Sequence, residues 1–269
     1  MERERFRISA IDYSESEKTL AKMRKALIIY LCFEVILLLM LNMATLYQQY
    51  EITFMIKIDA FLEEHDFFLI VLTVIPSCAA FLYFVYMLQL HVFEKGLLVA
   101  GVVGMISQYV LHSNVSQSSG AWSVTTASLV GVFSGLIFRK IYCDSMKKAT
   151  SYLSETGEMS DARESWEKFW TATIVIVVIT IILSLVMKMV YEGAYEAMKN
   201  AQYGETLAAR KKYYLAMVLM VNVSVVSDLV LRVFEIGCLK KTRNYAYGRM
   251  LETEIRAKDK GNETVSTDQ

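Results

Sequence analysis

The chain has 269 residues, 55% hydrophobic and 21% charged, with one proline, four cysteines and a formal net charge of zero from 28 basic and 28 acidic side chains. Its apolar residues gather in blocks near or above the roughly 20 residues that cross a bilayer, which excludes an ordinary soluble domain. With no single-sign basic patch beyond short flanks, a nucleic-acid-binding surface is excluded as well. The expected class is an all-α membrane protein, a bundle of six transmembrane helices with both termini cytoplasmic.

Residues 1–25 form the expected N-tail. Ser14-Glu15-Ser16-Glu17 followed by Leu20, Met23 and Leu27 reads as an amphipathic cytoplasmic helix running into the first span. Its mixed charges suit a solvated or interfacial helix better than a polybasic lipid-binding segment. The membrane domain is expected over 26–238. Its first span, 26–47, holds one charge, Glu34, and is too long for a secretory apolar region, so it is expected to stay as an uncleaved anchor. Residues 50–66 alternate apolar and acidic groups and suit an interfacial amphipathic helix on the outer side.

Spans 67–92 and 97–111 are separated only by Phe93-Glu94-Lys95-Gly96 and form an expected hairpin. The third span is short for a bilayer, and a re-entrant segment is its alternative. A polar loop, 112–120, leads to span 121–138. The cytoplasmic segment 139–168 reads as two short helices broken at Thr156-Gly157, the second capped at Ser160 or Asp161. Span 169–191 is expected to continue as helix and break near Gly204, with Lys188 and Tyr191, Tyr195, Tyr203, Tyr213 and Tyr214 marking the outer interface. Span 213–238 is unusual because it carries Asp228, Arg232 and Glu235. The tail 239–269 is expected to be cytoplasmic and, from about Arg256, disordered.

Orientation follows from Lys and Arg, which are retained on the cytoplasmic side. Of the 28, 21 fall on the side of the termini, five on the opposite side, and Lys188 and Arg232 within spans. No cysteine is placed for a disulfide on the oxidising side: Cys32 and Cys78 lie in spans, Cys143 and Cys238 at the cytoplasmic face. They read as small apolar residues.

Two candidate sites emerge. Small residues at four-residue spacing let helix backbones approach closely in lipid. Gly96, Ala100 and Gly104 form one such stripe and Ser123, Ala127, Gly131 and Gly135 another, so spans three and four are expected to pack as an antiparallel pair. The second site is a polar seam. Charges within hydrocarbon cost at least about 2.5–3.5 kcal/mol on insertion scales and require partners or water. Glu34 lies about 12 Å and Asp228 about 15 Å of helix rise from the cytoplasmic span ends, and Asp228 and Arg232 share a face at i, i+4. Arg232 is expected to bridge both acids. Glu235, near the inner boundary, is expected to be interfacial, and Asn42, Asn222, Ser224 and Ser227 to bond across helices.

No catalytic motif is present, so no enzyme is expected. Intramembrane aspartyl proteolysis needs paired aspartates in different spans and only Asp228 lies in one. The stretch Gly131-Val132-Phe133-Ser134-Gly135 has the wrong spacing and setting for a rhomboid-type serine element. His65, His91 and His112 have no paired ligand spacing, there is no CxxC, and Glu63-Glu64-His65-Asp66 reads as a solvated acidic turn, so no metal or cofactor is expected. No phosphate-binding loop occurs, so any ATP would be hydrolysed by another chain. The sequons at Asn114, Asn222 and Asn262 read as chance matches. The expected function is a small permease or transporter subunit that pairs with itself or with a separate ATPase. Its alternative is a non-transporting scaffold, sensor or assembly factor with a structural charge cluster. Its expected surroundings are the lipid bilayer of a plasma or bacterial inner membrane.

Overall fold

The computed structural model describes residues 12–50, 64, 66–117, 121–151, 160–201 and 206–266. Six α-helices account for nearly all of them: α1 Tyr13–Tyr50, α2 Asp66–Gln89, α3 Gly96–Gln117, α4 Ala121–Ala149, α5 Asp161–Asn200 and α6 Thr206–Ser266. A 3-10 turn at Leu90–Val92 joins α2 to α3. Among the described residues there are no strands.

The helices form a closed ring. Each packs on its neighbours in the chain, and α6 returns to pack on α1. Paired contacts run in opposite directions along neighbours, as Glu17–Arg243 and Asn42–Asn222 do for α1 and α6 and Trp166–Thr242 and Tyr191–Tyr213 for α5 and α6, so these neighbours are antiparallel. The α1/α6 seam shows how the sequence specifies a partner. Tyr13, Ser16, Leu20, Met23, Leu27 and Tyr30 are all buried, and their alternating spacing of three and four is the heptad stripe of a coiled-coil face. Buried Leu239, Thr242 and Ala246 continue the opposing face of α6, and Arg243 pairs with Glu17 beside it.

The start of α5 is set by Ser160, whose hydroxyl accepts the Arg163 N–H at 3.2 Å, the expected N-cap. The expectation of separate short helices in 139–168 is corrected: α4 runs unbroken to Ala149, and α5 is already helical at Asp161. No helix-breaking residue stops α4 at the end of its apolar block, and Lys147 and Lys148 suit its C-terminal turn. The tail is corrected too, because α6 remains helical through Ser266. Residues 112–117, expected in a loop, belong to α3. Most of the expected outer amphipathic segment, 50–66, lies outside the described residues, as do Thr156, Gly157, Tyr203 and Gly204.

Three helices are long and apolar enough to cross a membrane: Ile70–Val92, Asp161–Asn200 and Thr206–Lys258; the apolar run of α3, Gly96–Gln108, is shorter. Among the described residues, every helix carries exposed large apolar side chains. Ile29, Val35, Ile36 and Leu39 are exposed on α1, Ile70, Val74 and Phe81 on α2, Leu98, Val102 and Ile106 on α3, and Phe133 and Ile137 on α4. Ile174 through Val190 on α5 and Val226, Val230, Val233 and Phe234 on α6 complete the band. Exposed apolar surface this continuous marks contact with lipid or another protein.

The expected antiparallel packing of α3 on α4 is present, and where side chains are described the α3 stripe faces residues outside the α4 stripe. Gly96 lies against Ser145, Gly104 against Phe138, and Ser107 donates to the Ser134 hydroxyl at 3.0 Å, a steady antiparallel α3/α4 register. The stripe of α3 therefore meets larger side chains of α4 and α2. A Cβ at Gly104 would overlap the Phe84 ring and sit 2.9 Å from Phe138, while one at Gly135 would meet only Arg139 of its own helix, at 3.2 Å. Ala100 is fully buried. Ser123, Ala127 and Gly131 lie on α4, with side-chain surroundings outside the described residues.

Candidate functional site

The polar seam is built chiefly on α6. Asp228, Arg232 and Glu235 follow one another at intervals of four and three, so one stripe of the helix carries all three toward the ring interior. Arg232 reaches Asp228 through Nε at 3.4 Å and Glu235 through Nη1 at 3.2 Å. Arg139 of α4 pairs with Asp228, and Tyr83 of α2 donates its hydroxyl to Glu235. The Arg232 guanidinium also lies over the rings of Tyr30, at 5.9 Å, and Tyr83, at 5.5 Å. Cation–π contact and two carboxylates thus offset the loss of water around a buried cation.

One expectation is corrected and another gains a detail. Glu235, next to Phe234 at the end of the exposed apolar band, is enclosed with 1% of its side chain exposed, held by Tyr83 and Arg232. Arg232 does not bridge to Glu34, since among the described residues both its ion pairs are on its own helix. Glu34 is half-buried on α1 and shares the electrostatic field of Asp228 and Arg232, with no hydrogen-bond or ion-pair partner among the described residues. The sequence reading missed Arg139 as a seam residue because it follows the fourth apolar block and counted as an ordinary cytoplasmic flank. Its side chain is 7% exposed. The signal lay in Gly135, four residues earlier, where the missing side chain leaves room for the Arg139 guanidinium.

Below the seam an aromatic spine fills the ring. Tyr83 and Phe84 of α2, Phe138 and Tyr142 of α4, and Trp166 and Phe169 of α5 follow edge to face or stacked, with successive centroids 5.0–5.7 Å apart. Such pairs add about 0.5–1.5 kcal/mol each beyond burial. Trp166 donates its indole N–H to Thr242 of α6 at 2.7 Å, so the spine is tied to the helix that carries the charges. Just outside it, Lys140 and Lys147 flank Asp144 on the exposed face of α4. Partial burial pulls that carboxyl up, but hydrogen bonds from Lys147 and Lys140 outweigh it and hold the group below the ordinary carboxylate range.

Beside and above the seam, polar contacts join neighbouring helices. Asn42 and Asn222 exchange amide hydrogen bonds at 3.0 and 2.6 Å, and Thr180 donates to Ser227 at 2.6 Å. Farther out, Tyr191, Tyr195, Tyr213 and Tyr214 pack together, and the Tyr191 and Tyr213 hydroxyls lie 3.0 Å apart. Lys188 is buried and faces Glu192 at 3.8 Å.

The seam is asymmetric in its exposure. Asp228 keeps 32% of its side chain accessible, whereas Arg139 and Arg232 keep 7% and 6%. The guanidiniums are enclosed, and Asp228 is the most accessible member of the ion-pair cluster. Among the described residues no group of three or more His, Cys, Asp or Glu is placed to hold a metal ion. His91 bonds the Leu88 carbonyl at 3.0 Å, while Glu63 and His65 lie outside the described residues. No family model, curated protein or solved structure matches the chain.

Proposed function

We propose that the chain is a multi-pass integral membrane protein of six spans with both termini cytoplasmic, working as a small permease or transporter subunit in a plasma or bacterial inner membrane. Three helices long and apolar enough to span, and apolar outward side chains on all six, support the embedding. From Ile174 to Val190 the band of α5 measures about 24 Å, close to the roughly 30 Å of a hydrocarbon core. The observation that carries the transport reading is the accessible carboxylate of Asp228 among buried partners. An ionisable group kept open inside a spanning bundle is the usual mark of a substrate or ion path. A separate ATPase docking on the cytoplasmic ends of α4 and α5, or a second copy of the chain, completes the unit in this reading.

A scaffold, sensor or assembly factor is the second reading. It is favoured by the balance of Arg139 and Arg232 against Asp228 and Glu235, which a purely structural cluster also requires. Water access separates the two. Ser134→Cys and Asn222→Cys, placed singly in a cysteine-free background, are treated in right-side-out vesicles with a membrane-impermeant maleimide. Labelling of both positions from the outer face is the expected result. Protection of both, in protein that remains folded, would sink the permease reading and leave a dry structural seam.

A further inference from the structure

The charged groups of the seam do not balance. Apart from Glu34, the chain has no Asp, Glu, Lys or Arg between Lys25 and Glu51, and there is none between Asp66 and Glu94, between Lys95 and Arg139, or between Lys168 and Lys188. Between Lys212 and Lys240, α6 supplies only Asp228, Arg232 and Glu235. Lys188 stands apart from them: it faces Glu192 and lies eight residues beyond Thr180, the partner of Ser227, about 12 Å along α5. The seam therefore sets the carboxyls of Glu34, Asp228 and Glu235 against only the guanidiniums of Arg139 and Arg232.

The register of α1 on α6 identifies the surplus acid. Glu17 pairs with Arg243 and Asn42 with Asn222, which brings Tyr30 level with Arg232, whose guanidinium lies 5.9 Å from its ring, and Glu34 level with Asp228. Glu34 also follows Leu27 and Tyr30 at the spacing of the buried α1 stripe, so it belongs to the face turned toward α6. The titratable groups around it are Tyr30 on its own helix, Asp228 and Arg232 on α6 and, behind Arg232, Tyr83 of α2 and Glu235. Asp228 takes both guanidiniums, and Glu235 takes Arg232 and the Tyr83 hydroxyl. Among the described residues nothing pairs with Glu34, and its chain neighbours Val35 and Ile36 are exposed on the apolar band.

Arginine does not give up its proton, so the balance cannot come from the cations. Two carboxyls at one level in a low-dielectric setting do not both ionise, and the one without a cation is the one that stays neutral. We infer that Glu34 is a proton-binding site and that its proton couples the seam to transport, an inference that deepens the permease reading and rests on it. With the proton bound the seam is neutral and suits an apolar surrounding. With the proton released the seam holds one uncompensated negative charge, which requires water beside it. Proton release and hydration of the seam thus go together, and the proton acts as a ligand that favours the drier state.

The test uses the native full chain in permeabilised vesicles, treated with dicyclohexylcarbodiimide, an apolar reagent that attacks protonated carboxyls, and the adduct is mapped by peptide mass spectrometry. An adduct on Glu34, and none on Asp228 or Glu235, is the expected result near neutral pH. Its rate should fall about tenfold per pH unit once the proton leaves. Glu34→Gln has the neutral shape of the protonated acid and should fold without forming the adduct, while Glu34→Asp should restore a pH-dependent one. Because the adduct is read on the native chain, the result does not hang on either variant folding. No adduct on Glu34 in folded protein, or one formed no more slowly at high pH, overturns the proton site, and it does so alone when the impermeant maleimide still reaches Ser134→Cys and Asn222→Cys. The expected adduct with both thiols protected overturns the permease reading and the coupling with it.

Discussion

At the scale of single residues, side-chain size decides what the α2/α3/α4 junction tolerates. Gly104 lies between the Phe84 and Phe138 rings, where a methyl group forces two buried aromatics to move. Gly104→Ala is therefore expected to cost about 1–3 kcal/mol, the usual range for overpacking. A methyl group at Gly248 would meet no atom within 4 Å, so Gly248→Ala should gain up to about 1 kcal/mol from helix propensity. Denaturant titration of the two variants in one detergent checks the contrast, and equal effects would mean that propensity rather than packing governs Gly104. The same scale separates what sequence reveals from what it conceals. Asp228 and Arg232 declared themselves by lying inside an apolar block. Arg139 did not, because a long guanidinium can sit beyond such a block and still reach inward, and only the position of α6 tells which way it turns.

Among elements, the α5/α6 contact is the best tethered. Trp166 is fully buried, sits within the aromatic spine and donates to Thr242, whose own hydroxyl bonds back to the Cys238 carbonyl at 2.9 Å. Trp166→Ala is expected to lose about 3–5 kcal/mol, the usual cost of deleting a large core aromatic. Thr242→Val keeps the volume but leaves the indole N–H unpaired, and should lose about 1–3 kcal/mol. Thermal unfolding followed by tryptophan fluorescence of the Thr242 variant, and by circular dichroism for Trp166→Ala, measures both. Elements were legible where a periodic face existed, as in the heptad of α1 from Tyr13 to Tyr30. They were misread where helicity has no apolar stripe to announce it. The end of α6 beyond Arg256 is polar all round, and composition alone pointed to disorder although its Ala, Lys and Glu are good helix formers.

For the whole molecule, the order of helices around the ring is the property a linear sequence does not display. Apolar blocks suggested candidate spans, cationic flanks a proposed orientation, and the matching depths of Glu34 and Asp228 a contact of α6 with α1, which the structure has; the pairing of Asp228 with α4 depends on how all six faces fit at once. The orientation predicts that Ser151 and Arg256 lie on one side of the membrane and Gly193 near the other. Single cysteines at 151 and 256 should react with an impermeant reagent only in inside-out vesicles, and one at 193 only in right-side-out vesicles. Reaction of 151 and 256 from opposite faces would require an odd number of crossings between them and discard the six-span topology.

The unbroken length of α6 has a mechanical meaning. Its 61 residues form a rod of roughly 90 Å, with Asp228 part-way along and the Ser266 end about 57 Å beyond it. A tilt of about 5° pivoting at Asp228 carries that end by about 5 Å, with α1 riding along its flank as far as Arg249. Displacements too small to notice among the buried charges thus become, at the far tip, a stroke large enough for another molecule to feel.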